Sequence, residues 1–459
     1  MFPEGSPVDR RRFLASALGV AAATPAVAAL DPSIGPILRG TLDAAELGIN
    51  PNAKENQSQT LQAALNAASD EDRQVRLPAG SFVVSDLILP ARTRLAGVPG
   101  ATRLVYGGGS HMIVGERAEI VDIRDIIFDG AGQALADYVP AVVHLAESRG
   151  VNIDNCTIVG STRSGLALDR SGGRVTRTTV RTAHDAGIRA IESTGLTIAD
   201  NTIEDCGNGG ILVHRWSEGE DGTIVTGNRV ARIGASDGGT GQNGNGINIF
   251  RAHGVIVANN RITDCAFTAI RANSANNVQI TGNNCARSGE VGIYSEFSFE
   301  GAMIANNIID GAATGISISN FREGGRLAVV SGNIIRNLTG KGPYKADAPG
   351  FGTGIAVEAD VAATGNVIDG APLFGMLIGW GPYLRDVAAT GNVIRHAPLG
   401  IAVTVVDGAG SAVISDNMIS GADKGAVVGM RWTELATGDL ALSGADKFPR
   451  LLIERNRVS

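Results

Sequence analysis

An asparagine inside a short apolar stretch recurs about every two dozen residues along more than half of this chain, and a Gly-Ile pair follows it about nine residues later. A period of this size is typical of stacked, nearly identical supersecondary units that bury their core against one another. The repeat therefore predicts a solenoid. The repeated asparagines are Asn155, Asn201, Asn228, Asn260, Asn284, Asn307, Asn333, Asn366, Asn392, Asn417 and Asn456, with Thr178 in the same place between the first two. The strands that follow them are predicted to begin at Gly165, Gly187, Gly210, Gly246, Ala269, Gly292, Gly315, Gly354, Gly375, Gly400 and Gly425.

The residues around these asparagines alternate between apolar and polar, as in residues 196–203 and 255–262. A period of two predicts short strands, and no helical stripe fits between them. Each repeat is thus interpreted as one coil of two or three strands that adds roughly 4.8 Å along the axis. Stacked asparagines would pass amide hydrogen bonds from coil to coil and satisfy backbone groups at a bend. Leucine-rich repeats have a similar length, but the pattern Leu-x-x-Leu-x-Leu does not recur here.

The first 30 residues carry a separate signal. Residues 9–14, Asp-Arg-Arg-Arg-Phe-Leu, precede an alanine-rich apolar run, and Ala-Val-Ala at 26–28 matches a small-residue cleavage site. This segment resembles a twin-arginine export signal and predicts a signal peptide over residues 1–29. The resemblance implies delivery by the twin-arginine export machinery to the periplasm or the medium. An N-terminal membrane anchor is the alternative, although the run is short for a spanning helix.

The predicted mature chain is acidic. The whole sequence has a net charge of −7, and removing residues 1–28 takes away three arginines and two carboxylates, which leaves −8. An acidic protein without a basic stretch is a poor nucleic-acid binder, and no membrane span is expected in the mature protein. Cysteine spacing suggests neither a disulfide framework nor a metal site, because Cys206 and Cys265 are expected to lie two coils apart and no Cys-x-x-Cys or His-rich pattern occurs. No cofactor is evident.

The segment 30–75 is predicted to hold a capping helix over residues 56–68, since the end of a solenoid exposes unpaired strands. This helix, the stretch 77–82 (Leu-Pro-Ala-Gly-Ser-Phe), Leu-Ala-Gly at 95–97 and the Asp-x-x-Phe-Asp-Gly turn at 125–130 resemble the start of the pectate-lyase-like superfamily. The resemblance covers about residues 45–459. It implies an all-β solenoid, namely a single-stranded right-handed parallel β-helix of the pectin-lyase-like kind with an N-terminal capping helix. The β-helix itself is expected to span residues 76–459. With the signal, the chain resembles uncharacterised bacterial twin-arginine-translocated β-helix repeat proteins. Members of this fold include polysaccharide lyases, glycoside hydrolases, uronate C5-epimerases, adhesins and structural proteins, so the fold does not choose the activity.

Two insertions interrupt the repeat, at residues 234–246 and 337–347. Both leave the same predicted turn, four coils apart, or roughly 19 Å at the strand spacing. Insertions on one face of a repeat array often mark the binding face. They are therefore predicted to wall a groove that holds a sugar chain.

We call the glycine at which each predicted strand begins the glycine slot. The floor of the groove is predicted from the outward positions two and four residues after this slot. A polar patch in the middle coils comprises Arg189, His214, Asn248, Phe250, Arg271, Asn273, Tyr294, Glu296, Ser317 and Ser319, and the later coils turn apolar with Ala356, Leu377, Ala402 and Val427. Arginines suit carboxylate recognition, and Trp216 suits stacking on a sugar ring. The pattern predicts binding of a polysaccharide, of an acidic kind, with Arg189, Trp216, Asn248 and Asn273 as substrate-binding residues.

An enzyme acting on such a sugar by β-elimination or epimerisation needs a base, a cation for the enolate and an acid. His214, Arg271 and Tyr294 match those roles. Glu296 then holds the histidine or an arginine, or forms a hydrolytic carboxylate pair with Asp237 or Glu358.

His184-Asp185 resembles part of the Asp-Pro-His-Asp motif of periplasmic alginate epimerases, without its first Asp and its Pro, and also fits an ordinary satisfied turn. Lyase, epimerase and hydrolase activities stay open at this point. The rival hypothesis is a non-catalytic envelope scaffold or carbohydrate-binding module.

Overall fold

The computed structural model describes residues 40–239 and 241–459. The predicted signal peptide lies outside these residues and stays a prediction, as do the domain boundaries drawn from the sequence. Residues 42–459 form one compact body.

Three long parallel sheets form this body, and successive strands along the chain visit the three sheets in turn. Sheet 1 contains β1 Thr41–Asp43, β2 Gln74–Arg76, β5 Arg92–Ala96, β8 Ile120–Arg124, β11 Gly150–Asp154, β14 Gly173–Thr176, β17 Thr197–Ala199, β20 Ile224–Thr226, β23 Ile256–Ala258, β26 Val278–Thr281, β29 Glu300–Ala305, β32 Arg326–Ser331, β35 Val361–Thr364, β38 Val387–Thr390, β41 Ala412–Ser415 and β45 Leu451–Glu454. Sheet 2 contains β4 Leu87–Leu89, β7 Ile113–Glu116, β10 Ala141–Ala146, β13 Ser164–Asp169, β16 Ala186–Ile191, β19 Gly209–Glu220, β22 Asn245–His253, β25 Ile270–Asn273, β28 Val291–Glu296, β31 Thr314–Ile318, β34 Thr353–Val357, β37 Phe374–Ile378, β40 Leu399–Thr404, β43 Val427–Arg431 and β44 Glu434–Asp439. Sheet 3 contains β3 Gly80–Val84, β6 Thr102–Tyr106, β9 Ile127–Asp129, β12 Thr157–Val159, β15 Thr179–Arg181, β18 Thr202–Glu204, β21 Arg229–Ile233, β24 Arg261–Cys265, β27 Asn284–Ala286, β30 Ile308–Asp310, β33 Ile334–Arg336, β36 Val367–Asp369, β39 Val393–Arg395, β42 Met418–Ser420 and β46 Arg457–Val458.

From β2 to β43 each coil contributes one strand to each sheet, and the strands pair in parallel with the coils before and after them. Crossovers between parallel strands of one sheet are right-handed in nearly all proteins. The predicted right-handed parallel β-helix is confirmed. The exception to parallel pairing is β44, which runs antiparallel to β43 at the last coil.

The predicted capping helix is also confirmed. Helix α1 spans Ser58–Asp70 and buries Leu61, Ala64 and Leu65 against the first coil. The Gln62 side chain donates to the carbonyl of Ile88 (2.7 Å) and accepts from its amide (2.9 Å). The cap thus covers apolar core and satisfies backbone groups of the terminal strand β4, the two needs of an open solenoid end.

The asparagine ladder occupies the bend before the strands of sheet 3. At Asn307, the side-chain nitrogen donates to the carbonyl of Ile280 and to Oδ1 of Asn333, each at 3.0 Å, and its own Oδ1 accepts the amide of Asn283 at 2.9 Å. The ladder side chain thereby pairs buried backbone groups of the neighbouring coils at this bend, as predicted. The continuous asparagine ladder is Asn201, Asn228, Asn260, Asn283, Asn307, Asn333, Asn366, Asn392, Asn417 and Asn456, with Thr178 before it.

Two predicted ladder residues were wrong by one position. Asn155 is exposed and donates to Asp125 Oδ1 at 2.6 Å, while Cys156 takes the buried place. Asn284 begins strand β27, and its neighbour Asn283 is in the ladder. A shift of one residue in a strand moves a side chain to the opposite face, so adjacent asparagines have different environments.

The glycine slot follows from close approach between coils. A Cβ at Gly210 would lie 2.2 Å from the carbonyl oxygen of Gly246 in the next coil, so a side chain is excluded there. In the last coil the slot is Ala426 rather than the predicted Gly425, because Ile401 pairs with Val427.

No helix in residues 40–239 and 241–459 is long and apolar enough to span a bilayer.

Candidate functional site

The outward face of sheet 2 carries two columns of side chains, one for each outward position of the predicted repeat. The first column runs through His144, Ala167, Arg189, Leu212, Asn248, Arg271, Tyr294 and Ser317. The second runs through Ala146, Asp169, Ile191, His214, Phe250, Asn273 and Glu296.

The polar patch in the middle coils and the apolar surface beyond it lie as predicted. Ala356, Leu377 and Ala402 continue the first column, and Leu377 and Ala402 belong to a buried apolar cluster on this outward face. In the last coil the outward residue is Val428, not the predicted Val427, which lies in the core.

The two insertions, which were predicted to wall a groove, both contact the same residue, Phe267. We call residues 234–244 loop 1 and residues 337–352 loop 2; residue 240 is not described. Tyr344 of loop 2 stacks on Phe267 with ring centroids 6.2 Å apart, and its hydroxyl donates to Glu290 Oε1 at 2.5 Å. Gly244 of loop 1 also packs against the Phe267 ring. The loops therefore close over the middle coils.

A hollow of about 540 Å³ remains beside loop 1, and we call it the aromatic hollow. Trp216 and Phe297 flank it with exposed fractions of 60% and 40%. Its lining comprises His214, Trp216, Gly241, Gln242, Asn248, Phe250, Arg271, Asn273 and Phe297. Exposed aromatic rings beside amide side chains suit a ligand with both apolar faces and hydroxyl groups.

His214 lies edge-on to Trp216 and Phe250, with ring centroids 6.5 and 5.8 Å away. Burial, helped by the nearby charge of Arg189, lowers the pKa of His214 to about 4. The imidazole is therefore neutral at neutral pH, and its buried Nε2 has no hydrogen-bond partner among the described residues.

Arg271 lies at the inner edge of the hollow and is ion-paired on two sides. Its Nε is 2.6 Å from Glu296 Oε1 and its Nη1 is 3.6 Å from Glu290 Oε2. Only 7% of the Arg271 side chain is exposed. Of the alternatives for Glu296, the structure places it on an arginine and not on His214. The Arg271 guanidinium is thus occupied by protein carboxylates.

Further hydrogen bonds hold the buried group of Arg271, Glu290 and Glu296 in place. Asn273 donates to Glu296 Oε1 at 2.9 Å, and Thr268 donates to Glu290 Oε2 at 2.7 Å. Burial raises the pKa of Glu296 and opposes the lowering by Arg271. Burial also raises the pKa of Tyr294 to about 12, which keeps its phenol protonated.

The predicted site residues are partly brought together. His214, Trp216, Asn248, Arg271 and Asn273 line the aromatic hollow, whereas Tyr294 and Glu296 are not among its lining residues. The Asn248 amide nitrogen is used within the protein, since it donates to the carbonyls of Gly241 and Gln242 at 3.3 Å. The proton-transfer roles assigned to His214, Arg271, Tyr294 and Glu296 stay a prediction.

The remaining predicted ligand residue, Arg189, lines a second hollow of about 750 Å³ that we call the acidic hollow. His144 Nε2 and Asp169 Oδ2 are 2.9 Å apart there, and Arg189 Nη1 is 4.0 Å from Asp169 Oδ1. The hollow is lined by residues 134, 135, 137, 138, 140, 144, 162, 163, 169, 184, 185, 189 and 237. Asp237 of loop 1 lies on this hollow and Gly241 of the same loop lies on the aromatic one, so loop 1 borders both.

The alternative partners proposed for Glu296 lie elsewhere. Asp237 accepts from the Asn208 amide at 2.7 Å, and Glu358 accepts the amide of Phe321 at 2.7 Å. Asp185 accepts the Ser164 hydroxyl at 2.7 Å, which fits the satisfied-turn interpretation of the His184-Asp185 pair.

Four residues of this surface were missed from the sequence. Asp169 stands four residues after Gly165, so the repeat rule could have found it. His144 could not be found in that way, because Val142 replaces glycine in its coil. Glu290 and Phe267 each stand two residues before a predicted strand start, where the repeat rule does not look, and both contact Tyr344 of loop 2.

The four cysteines are buried and unpaired. Burial raises the pKa of Cys156 to about 12, so its thiol stays protonated. Within the part of the chain that the structure describes, no three His, Cys, Asp or Glu side chains converge as metal ligands would.

Comparisons with known proteins agree with this architecture. The family described as "Right handed beta helix region" matches residues 216–394, and the family described as "Periplasmic copper-binding protein (NosD)" matches residues 136–284. Neither match covers half of the chain. None of the curated proteins matches the sequence.

Similar solved structures include PfbA, a surface adhesin of Streptococcus pneumoniae, with 13% identity, a TM-score of 0.44 and coverage of 85% of this chain and 91% of that one. The A-module of the Azotobacter vinelandii mannuronan C-5 epimerase AlgE6 has 15% identity, a TM-score of 0.37 and coverage of 91% and 99%. The catalytic unit of a Streptomyces thermodiastaticus GH87 alpha-1,3-glucanase has 15% identity, a TM-score of 0.39 and coverage of 87% and 71%. Likeness at this level carries no argument about function. The strand order and the first family match together identify the chain as a right-handed parallel β-helix protein.

Proposed function

We propose that this protein is an exported β-helix protein that binds a polysaccharide across the outward face of sheet 2, with the aromatic hollow as a sugar-binding subsite. The observation that carries the proposal is the pair of exposed rings, Trp216 and Phe297, on either side of a hollow floored by His214 and Asn273. The apolar faces of sugar rings stack on such aromatics, and the polar floor is suited to hydroxyl groups.

The charges around the hollow favour an uncharged sugar over the acidic one expected from the sequence. Arg271 is neutralised by Glu290 and Glu296, and Arg189 faces Asp169. With His214 neutral, no cation of the hollow is left over for a substrate carboxylate. The net charge of −7 also opposes binding of a polyanion.

Binding is tested by affinity electrophoresis and tryptophan fluorescence with neutral polysaccharides (glucan, mannan, xylan) and uronate polymers. We expect a neutral polymer to bind, and Trp216→Ala to weaken binding at least about tenfold, since a lost aromatic contact costs about 1.4 kcal/mol. The matched control is Trp432→Ala, because Trp432 is also exposed but packs edge-on against Trp380, 5.6 Å away and outside both hollows.

The products of incubation separate the catalytic alternatives. Absorbance from unsaturated uronate products would support a lyase and the roles assigned to His214 and Tyr294. New reducing ends would support a hydrolase, and an inverted C5 configuration detected by NMR would support an epimerase. Absence of binding to every polymer would refute the proposal and favour the scaffold hypothesis.

Export is the second part of the proposal. It is supported by the Arg-Arg-x-Phe-Leu pattern at residues 10–14 and by the match to a family whose description names the periplasm. Replacing Arg10 and Arg11 by lysine should retain the protein in the cytoplasm of a bacterial host. Arg12→Lys, at the variable position of the pattern, is the control and should leave export intact.

The same description names copper, and the described residues do not fit that metal. Copper favours thiolate, thioether and imidazole ligands. The thiols here are buried and protonated, and no three His, Cys, Asp or Glu side chains converge in the described ranges.

A further inference from the structure

The acidic hollow holds a hydrogen-bonded histidine–carboxylate pair that sugar binding in the aromatic hollow does not use. His144 and Asp169 stand on neighbouring strands, β10 and β13, one in each outward column of sheet 2. Their side chains are 15% and 18% exposed, and both line the hollow. Asp169 lies two coils before His214 in its column, or roughly 10 Å at the strand spacing, so one sugar chain can span both hollows.

The hydrogen bond gives the two ring nitrogens of His144 different roles. Nε2 faces Asp169 Oδ2 at 2.9 Å, so the carboxylate holds the tautomer in which Nε2 carries the proton. Nδ1 has no hydrogen-bond partner among the described residues and keeps its lone pair. A neutral imidazole fixed in this way is a general base, and the carboxylate stabilises the imidazolium that forms when it takes a proton.

The other charged groups of the hollow are engaged with protein partners. Asp137 pairs with Arg163 at 2.9 Å. Asp185 accepts the Ser164 hydroxyl and Asp237 accepts the Asn208 amide. Four aspartates against Arg163 and Arg189 give these six side chains of the hollow a net charge of −2. It therefore disfavours a uronate and suits an uncharged sugar.

We infer that His144 is the general base of a hydrolytic centre that removes an ester-linked acyl group from an uncharged polysaccharide. His144 Nδ1 takes a proton from a water molecule, and the water oxygen forms a bond to the acyl carbon. Arg189 stands beside the pair to stabilise the negative charge on the carbonyl oxygen. The bond between the acyl carbon and the sugar oxygen then breaks, and the sugar oxygen takes the proton from His144. Asp169 is a positioning residue.

Ester hydrolysis fits this set of groups better than cleavage of the sugar chain. The leaving sugar oxygen recovers the proton that His144 removed, so one base and one cation suffice. Glycosidic hydrolysis needs a separate acid and a second carboxylate on opposite sides of the bond. Elimination requires a bound uronate, and the net negative charge of the hollow opposes binding of a carboxylate. The inference rests on the proposed function, because a bound polysaccharide presents the ester.

The test is acetate release from acetylated xylan and acetylated glucomannan by the purified protein. Wild type should release acetate, and His144→Ala should be at least about 100-fold slower, the usual contribution of a general base. Added imidazole should restore part of the His144→Ala activity by entering the hollow. Asp169→Asn should lower kcat and leave KM unchanged, which a loss of folding would not do. The control is His396→Ala, because His396 forms the same kind of pair with Asp369 (2.6 Å) on the exposed surface of sheet 3.

The outcomes separate this inference from the proposed function. Binding of the polymers without acetate release overturns the inference and leaves the binding proposal standing. Acetate release that depends on His144 but not on Trp216 supports the centre and refutes the aromatic hollow as its binding site. Release that survives His144→Ala, or neither binding nor release, overturns the inference.

Discussion

Adjacent asparagines at positions 283 and 284 give the sharpest test of the ladder. Asn283 is 1% exposed, and its side chain makes five hydrogen bonds, one of them to the Thr281 carbonyl of its own coil at 3.2 Å and four to neighbouring coils. Its Oδ1 accepts the backbone amide and Nδ2 of Asn260, each at 3.0 Å, and its Nδ2 donates to the carbonyl of Val257 at 2.9 Å and to Asn307 Oδ1 at 3.0 Å. Asn284 points to the other face and makes no side-chain hydrogen bond with the described residues.

The expected loss in the free energy of unfolding follows from the buried polar groups that the substitution leaves without a partner. In Asn283→Ala, the Asn260 amide loses its acceptor and the Val257 carbonyl loses a donor, while the side chains of Asn260 and Asn307 keep other partners. An orphaned buried polar group costs about 1–3 kcal/mol, so we expect a loss of about 4 kcal/mol in the free energy of unfolding. Asn284→Ala should change it by no more than about 0.5 kcal/mol.

Urea unfolding followed by far-UV circular dichroism measures both variants. Because a solenoid can open in parts, hydrogen exchange of the Asn260 region should be measured beside it. Exchange there should accelerate in Asn283→Ala alone. If Asn284→Ala is as destabilising as Asn283→Ala, the ladder register and the energetic reasoning are both wrong.

Three further predictions follow from buried ionisable groups. Burial raises the pKa of Glu358 from 4.5 to about 7, so the native state binds the proton more tightly than the unfolded chain and stability is lost as pH rises from about 4.5 to 7. Glu358→Gln should therefore be more stable than wild type at pH 8, by about 3 kcal/mol, and equal to it at pH 4, as measured by urea unfolding; equal stability at both pH values would contradict this. Arg271→Gln leaves Glu290 and Glu296 buried without a counter-charge and should cost about 3–5 kcal/mol in thermal unfolding, whereas the exposed Arg336→Gln should cost little. The four buried thiols should react with an aromatic disulfide reagent only on unfolding, and rapid reaction of the native protein would show that they are not enclosed.

The sequence was sufficient for the repeat but unreliable at single positions. Gly227-Asn228 and Gly332-Asn333 mark the ladder with a preceding glycine, and Gly282-Asn283 carries the same signal beside a second asparagine. The spacing of the repeat varies with loop length, so counting from neighbouring coils left an ambiguity of one residue. Hydrogen bonds between coils remove that ambiguity.

Outward columns were predicted well, because side chains on a strand alternate between faces and one glycine per coil fixes the phase. Arg189, His214 and Asn273 lie where the pattern places them. Their availability to a ligand was not predictable. Arg271 has the same place in the repeat as Arg189, yet its charge is neutralised by Glu290 and Glu296.

The sequence by itself determined the coil, the strands and the ladder, and it determined the direction of strand side chains except where the count was wrong by one residue, as at Asn155, Asn284 and Val427. These features repeat at a fixed period, and each depends on local alternation and on contact with the next coil. Tertiary structure decided which side chains face a hollow, which are engaged in ion pairs, and how loops 1 and 2 pack over the middle coils of sheet 2. Tyr344 reaches Glu290 across 54 residues, and the His144–Asp169 pair depends on the register of two strands. No period in the sequence specifies such contacts, because they depend on loop conformation and on the packing of particular side chains.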